Sequence, residues 1–158
     1  MLSSRVFIIG NTDRHHSNWA VLAQFDNNAG NVRFKKCPLY DNGSSLCSYV
    51  NELQVSKYLG KDLGPMKSLV DSKSRSIIRI DGSNKTKPKH REMIEYLSEQ
   101  YEITKSIIKK YVDRLSDDKI DSLLSEYTGK ILSANKTILI CNFLKWKMKI
   151  LREILEEN

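Results

Sequence analysis

The feature that most constrains this chain is a polar loop that lies between two apolar runs near its start. The loop carries Asp13 and, five positions later, Asn18, and a second carboxylate, Asp41, follows a short strand-like Leu39-Tyr40 downstream. Phosphoryl transfer needs one carboxylate to receive or orient the attacking hydroxyl and two oxygen ligands to hold Mg²⁺. The sequence therefore predicts a metal and phosphate site formed by Asp13, Asn18 and Asp41.

Two short motifs contain these residues. The first reads Asn-x-Asp-x-His-x-x-Asn from Asn11 to Asn18, and the second reads Pro-Leu-Tyr-Asp from Pro38 to Asp41. Together they resemble the catalytic and metal-binding segments of HipA-family kinases, which are bacterial serine/threonine kinases best known from toxin-antitoxin pairs. The resemblance extends over roughly residues 5 to 46, and the helical remainder is compatible with a HipA-type C-terminal lobe.

The resemblance implies a role for each motif residue. Asp13 would be the catalytic aspartate, and Asn18 and Asp41 would be ligands of Mg²⁺, with ATP as the phosphate donor and a protein hydroxyl as the acceptor. Family members often have a lysine where this chain has Ser17, so support for the transferred phosphate would come from Arg14 or His16. Four residues would support the loop: Asn11, Arg14, His15 and His16.

A complete kinase of this type has an N-terminal nucleotide lobe before the loop. Only twelve residues precede Asp13, and the seven glycines of the chain form no Gly-x-Gly-x-x-Gly cluster. We therefore expect one HipA-like C-terminal lobe over residues 1–158, with the catalytic and metal segments in 1–47 and helices in 48–158. The nucleotide lobe is expected to be absent from this chain. The chain would then be a natural short gene product, one half of a split enzyme whose partner supplies the lobe in trans, or a fragment of a longer protein.

Composition agrees with a single globular domain. The chain has 158 residues, of which 40% are hydrophobic and 28% charged, and these values are typical of folded proteins. It lacks an 18-residue apolar run and a signal-peptide pattern, so we expect a cytoplasmic protein. Cys37, Cys47 and Cys141 lack a C-x-x-C pair, which favours small buried thiols over a zinc site or a disulfide framework.

The net charge of +7 is compatible with an anionic partner. The lysines and arginines are dispersed, and no recognised nucleic-acid motif accompanies them, so solvated helix faces are the simpler interpretation. ATP is also anionic and would benefit from positive potential. Binding of nucleic acid stays an open alternative that no motif supports. His90 stands alone in a basic stretch, and we expect it to be solvated.

The first half of the chain is predicted to contain a β-hairpin. Trp19 to Phe25 and Val32 to Phe34 suit its two strands, and the polar residues between them suit a turn. Arg5 to Ile9 is predicted as a buried strand or the approach to the loop. A helix is predicted over Tyr49 to Leu59, with Val50 and Leu53 inward, followed by a loop over Lys61 to Lys89 that contains one strand-like piece, Ser76 to Ile80.

The second half is predicted to be helical, from apolar residues at helical spacing. Ser116 is predicted to cap the third of these helices and Gly129 to end it. The last helix is expected over about Asn135 to Glu156 and should be largely buried. The predicted fold class is thus α+β: a kinase-like C-terminal lobe in which a small β element carrying the catalytic loop packs on four or five helices.

Two other functional classes stay open. The chain would be a non-catalytic interaction module if a kinase lobe persists as an antitoxin-like, regulatory or DNA-associated partner. It would be a lipid-kinase-like phosphotransferase if the Asp-Arg-His-x-x-Asn sequence that begins at Asp13 reflects that relationship. For the serine/threonine kinase interpretation, the predicted partners are ATP, a protein substrate, and either a nucleotide lobe in trans or an antitoxin-like protein.

Overall fold

A computed structural model describes residues 2–14, 16–18, 20–26, 30–71, 75–76, 79–80 and 87–157. Its helices are α1 (Leu2–Ile9), α2 (Glu52–Leu59), α3 (Gly64–Asp71), α4 (His90–Gln100), α5 (Glu102–Arg114), α6 (Asp117–Ser125) and α7 (Ala134–Glu156). Its strands are β1 (Val21–Asp26) and β2 (Asn31–Lys36), and a short 3₁₀ turn spans His16–Asn18. The predicted α+β class is confirmed.

The two strands form the predicted hairpin. They pair antiparallel, with Val21 opposite Lys36 and Asp26 opposite Asn31. The hairpin brings the chain that leaves the 3₁₀ turn back beside it, because antiparallel strands cancel each other's displacement. This return places the Pro38–Asp41 segment next to the loop that contains Asp13.

The core is built around α7. This 23-residue helix packs against α1, α2, α3, α4, α5 and α6. Its apolar residues recur at helical spacing on a wide face, and Leu139, Met148, Leu151 and Ile154 have no accessible surface. The predicted helix over Asn135 to Glu156 is therefore present and is largely buried, as the sequence indicated.

Short polar side chains begin three of the helices. Asn51, Ser116 and Ser133 each accept a hydrogen bond from a backbone N–H in the first turn of α2, α6 and α7, respectively. Such caps satisfy backbone donors that have no partner within the helix. The cap at Ser116 was predicted. Gly129, which was predicted to end α6, lies beyond its end, because the helix stops at Ser125 with Glu126 as its C-cap.

Two predictions about helix phase and type were wrong. Arg5 to Ile9 is part of helix α1, whose Phe7 is 1% exposed, and not a strand. A short continuous apolar run suits a buried helix and a buried strand equally. Val50 is buried, as predicted, but it precedes α2, which begins at Glu52 after its cap Asn51. Within α2 the buried residue is Val55, and Leu53, which was predicted to be inward, is 92% exposed.

The predicted loop over Lys61 to Lys89 contains a helix. Helix α3 runs through Gly64–Asp71 and buries Met66, Leu69 and Val70. Pro65 lies in its first turn, where the missing N–H would have had no helical partner. The strand-like piece at Ser76 to Ile80 lies partly outside the described residues, and Arg75, which immediately precedes it, forms an isolated bridge to Lys89.

Several expectations about individual side chains can also be settled. His90 was expected to be solvated but is 5% exposed, because it starts α4 against the core. Cys47 and Cys141 are buried, as expected of structural thiols, and Cys37 is half-buried. Tyr101 and Ile103 are apolar but exposed, because they lie at the junction where α4 ends and α5 begins.

Within the described part of the chain, none of the helices combines the length and the apolar character needed to cross a membrane.

Candidate functional site

The polar loop begins with a sharp turn at the end of α1. Gly10 has φ of +61°, its N–H donates to the carbonyl of Phe7 at 3.1 Å, and the N–H of Asn11 donates to the carbonyl of Val6 at 3.2 Å. This pair of hydrogen bonds is the Schellman motif, in which a left-handed residue ends a helix. The glycine packs directly on the ring of Phe143 in α7. The start of the loop is therefore fixed against the core.

Asn11 joins the loop to the second motif. Its side chain is completely buried, its Oδ1 accepts from the backbone N–H of Asp13 at 3.0 Å, and its Nδ2 donates to the carbonyl of Asp41 at 3.3 Å. Two backbone hydrogen bonds run alongside, from Thr12 to Ser44 at 3.2 Å and from Leu46 to Ile9 at 2.8 Å. The two segments are thus held together along their length.

The buried side chain of Arg14 hydrogen-bonds both the loop and the second motif. Its side chain is 9% exposed, and Nη1 donates to the carbonyls of Asn18 at 2.8 Å and Tyr40 at 2.7 Å. Nη2 donates to Oδ1 of Asn42 at 2.5 Å. A guanidinium presents several donors in a rigid plane, and here both Nη atoms are engaged by the loop backbone and its neighbour, whereas the buried Nε has no partner among the described residues. This geometry favours the loop-supporting role predicted for Arg14 over a contact with phosphate.

Asn18 and Asp41 are in direct contact. Nδ2 of Asn18 donates a hydrogen bond to Oδ2 of Asp41 across 23 positions of sequence. Asn18 is buried, whereas Asp41 is exposed and has φ of +55°. A left-handed non-glycine residue is uncommon and is held by its surroundings, often at functional sites. Asp41 is held by Asn11, which donates a hydrogen bond to its carbonyl, and by Arg14, which donates to the carbonyl of the preceding residue, Tyr40.

Asp13 is linked to this pair through Asn11. Its backbone N–H is held by Asn11, and its side chain is exposed to solvent. His15 lies outside the described residues. His16 starts the 3₁₀ turn, and the carbonyl of Ser17 in this turn accepts from the Tyr40 hydroxyl at 2.7 Å. The structure thus brings Asn18 and Asp41 together and places Asp13 on the same braced loop.

Sequence reasoning missed a buried lysine that holds the turn following the second motif. Nζ of Lys136 in α7 donates to the carbonyl of Cys47 at 2.7 Å and to that of Val50. The preceding turn is unusual, because Leu46 and Cys47 have φ of +52° and +58°. The only sequence signal was the position of Lys136 on the same helical stripe as Ile140 and Phe143, which are both buried.

Cys47 is a structural residue of this turn. Burial raises the pKa of its thiol to about 12, although Lys136 and Lys147 oppose that increase. The reactive form of cysteine is the thiolate. A neutral, buried thiol is therefore unsuited to act as a nucleophile.

The donor set of the site suits a hard cation. Asn18 and Asp41 offer amide and carboxylate oxygens, and Mg²⁺ prefers oxygen ligands, often one or two from the protein with the rest from phosphates and water. Among the residues that the structure describes, no three His, Cys, Asp or Glu side chains come together as a metal cage. The arrangement can hold a cation that is shared with phosphate groups.

A solved structure has the same fold. The Helicobacter pylori proinflammatory kinase CtkA aligns with a TM-score of 0.76 and 17% sequence identity, over 99% of this chain and 55% of that chain. This chain has a kinase-like fold. It spans about half the length of the CtkA chain. Neither the protein-family models nor the sequences of curated proteins provide a match.

Proposed function

We propose that this chain is the catalytic lobe of a HipA-like serine/threonine kinase, which transfers the γ-phosphoryl group of ATP to a protein hydroxyl. The observation that carries this proposal is the contact between Asn18 and Asp41. These two residues are the predicted metal ligands, and the hairpin joins them within a kinase-like fold. The alternative roles of a turn cap at Asn18 and an ordinary loop at Asp41 would not require this meeting.

In this proposal Asn18 and Asp41 are the residues that would hold Mg²⁺, and the phosphates of ATP would supply further oxygen ligands. Bound Mg²⁺ neutralises charge on the phosphates and favours transfer of the γ-phosphoryl group. The chain itself supplies two oxygen ligands whose separation is fixed by Arg14 and Asn11. Fixed ligands reduce the reorganisation that metal binding would otherwise cost.

Asp13 receives or orients the hydroxyl of the acceptor. Its carboxylate is exposed, as it must be to meet a protein substrate, while its backbone is held by the completely buried Asn11. The base in a kinase mainly positions the nucleophile for in-line attack, because most of the catalysis comes from positioning and charge stabilisation. A rigid backbone beneath an accessible carboxylate suits that task.

The nucleotide-binding site would be completed by a second lobe. In this proposal that lobe contributes a phosphate-covering loop and a lysine for the phosphates, either from a longer polypeptide or from a partner in trans. The net charge of +7 favours an anionic nucleotide at the surface that this chain provides.

The test measures cation and nucleotide binding rather than turnover. Isothermal titration of the chain with Mn²⁺, as a Mg²⁺ substitute, and with Mg·ATP is compared between wild type, Asp41→Asn and a matched control, Asp113→Asn. Asp113 is an exposed carboxylate on α5. Loss of groups that only orient metal ligands costs roughly 10–100-fold in metal affinity, so Asp41→Asn should weaken binding at least as much and the control should not.

The outcomes separate the functional classes. Equal affinity of Asp41→Asn and wild type would refute the proposed ligand role. A wild-type chain that binds neither Mn²⁺ nor Mg·ATP would refute the proposal and favour the non-catalytic interaction module. Circular dichroism of each variant verifies that a loss of binding does not reflect loss of fold.

A further inference from the structure

A second candidate site lies on the opposite side of α7 from the catalytic loop. A groove of about 510 Å³ opens between α2 and α3 on one side and α6 and α7 on the other. Its apolar lining residues are Tyr58, Leu59, Leu63, Met66 and Trp146. Leu63 is 62% exposed at the rim, so apolar surface continues outward from the groove. Neither the motifs nor the proposed phosphotransfer uses this surface.

One edge of the groove is a row of cations. Lys145, Lys149 and Arg152 line it, and their spacing of four and three residues places them on one helix face. Over this span α7 rises about 10 Å. Asp117 is the carboxylate among the lining residues, so the groove combines an apolar floor with a positively charged edge.

The cations of this row are not fully neutralised by the protein. Arg152 pairs with Asp117 at 3.1 Å and Lys145 with Asp121 at 2.6 Å. Lys149 is exposed and has no ion pair with any residue that the structure describes. A ligand that carries negative charge along its edge would find one unpaired cation between two paired ones.

These two properties specify the chemistry of an occupant. An apolar floor takes bulky aliphatic or aromatic side chains, and the cationic edge takes carboxylates. An amphipathic helix presents both on adjacent faces, with apolar anchors at i, i+3 or i+4, and i+7. Two helical turns match the length of about 10 Å over which the cations are arrayed. We propose that this groove docks an acidic amphipathic helix of a partner protein.

The docking surface and the catalytic loop are separable. Lys136 and Phe143, which support the loop, project from α7 about 160–180° away from Lys145 and Arg152, at 3.6 residues per turn. A partner in the groove therefore leaves the loop accessible. The proposal does not depend on phosphotransfer, and its failure would leave the proposed function untouched.

Binding is tested with a synthetic probe on the full chain. The probe is a fluorescein-labelled peptide with leucine at i, i+4 and i+7 and glutamate on the remaining faces, and its control has the same composition with the leucines scattered around the helix. Fluorescence polarisation should show saturable binding of the first peptide and much weaker binding of the second. Binding should also weaken with added salt, because exposed charges are screened.

Matched variants test the charged edge and the apolar floor separately. Lys149→Glu should weaken binding roughly tenfold, because reversing a rim charge replaces attraction by repulsion. Lys109→Glu makes the same change at an exposed position of α5 and should have no effect. Leu63→Ser should also weaken binding, whereas Ile103→Ser, at a side chain that is 68% exposed elsewhere, should not.

Several results would overturn the proposal. These are equal affinity of the two peptides, equal affinity of Lys149→Glu and wild type, or no saturable binding by the wild type. Lys149-dependent binding to phosphatidylglycerol vesicles without peptide binding would assign the groove to a membrane surface instead, and would overturn it as well.

Discussion

Substitution of Gly10 by alanine should destabilise the protein more than any other single methyl addition at its left-handed glycines. Gly10 has φ of +61°, and an added Cβ would lie within the van der Waals surface of the Phe143 ring. Phe143 is 2% exposed and has little room to move. The left-handed backbone costs alanine about 1–2 kcal/mol, and forcing a methyl group into a packed core costs about 1–3 kcal/mol more.

A second glycine separates these two contributions. Gly129 has φ of +76° and would meet nothing within 4 Å, so Gly129→Ala carries the backbone cost alone, about 1–2 kcal/mol. We expect Gly10→Ala to lose roughly 2–5 kcal/mol. The difference between the two variants is the steric term for Phe143. Urea denaturation gives both free energies of unfolding, and an unchanged denaturant slope shows that the unfolded states are comparable.

Equal losses in the two variants would refute this reasoning, because they would mean that Phe143 does not restrict the loop. The double variant Gly10→Ala with Phe143→Leu provides a further check. A smaller side chain beneath the methyl group should make the combined loss less than the sum of the single losses. If the losses simply add, the clash is not the cause.

Two further predictions concern buried polar side chains. Burial lowers the pKa of His90 to about 4 from 6.5, so the unfolded chain binds a proton that the folded chain excludes. The free energy of unfolding of wild type should therefore fall by about 3 kcal/mol more than that of His90→Gln between pH 6.5 and pH 4; parallel urea-denaturation profiles over this pH range would contradict it. Lys136→Met should cost roughly 2–4 kcal/mol, because two buried carbonyls lose their donor, whereas Lys130→Met, at an exposed position, should cost little. Equal thermal stability of these two lysine variants would contradict that assignment.

The local parts of the fold were predictable because their signals are local. Turn-forming residues between two strand-like runs indicated the hairpin, the cap at Ser116 indicated the start of α6, and apolar spacing indicated α6 and α7. The meeting of Asn18 and Asp41 followed from the hairpin, since an antiparallel return brings its two ends together. These inferences needed only the chain between the residues concerned.

The errors occurred where two structures share one local pattern. Arg5 to Ile9 is a continuous apolar run, and its helical form is decided by packing on α4 and α7, which are far away in sequence. Gly64-Pro65 indicates a turn as readily as a helix start, and α3 forms there because Met66 and Leu69 are buried on one side. Tertiary contacts chose between the alternatives in both cases.

The buried lysines that support the site could not be predicted from the sequence, for a different reason. Lysine is rarely buried in folded proteins, so nothing in its residue type marked Lys136 or Lys147 as interior. Both are nevertheless less than 10% exposed, and both donate from α7 to a backbone carbonyl more than seventy positions away. A buried ammonium is retained only when such acceptors are present, and those acceptors cannot be identified before the fold is known.

The buried stripe of α7 explains why the loop has a defined position. Nζ of Lys147 donates to the carbonyl of Val70 at 2.6 Å and lies 4.3 Å from the ring centre of Phe7 and 5.4 Å from that of Phe143. Burial lowers the pKa of Lys147 to about 8, so the charge is costly, and the rings and the carbonyl offset part of that cost. Phe143 in turn packs under Gly10. The loop is therefore positioned through side chains more than a hundred positions away, and a change that repacks this stripe should move the site without touching any of its proposed ligands.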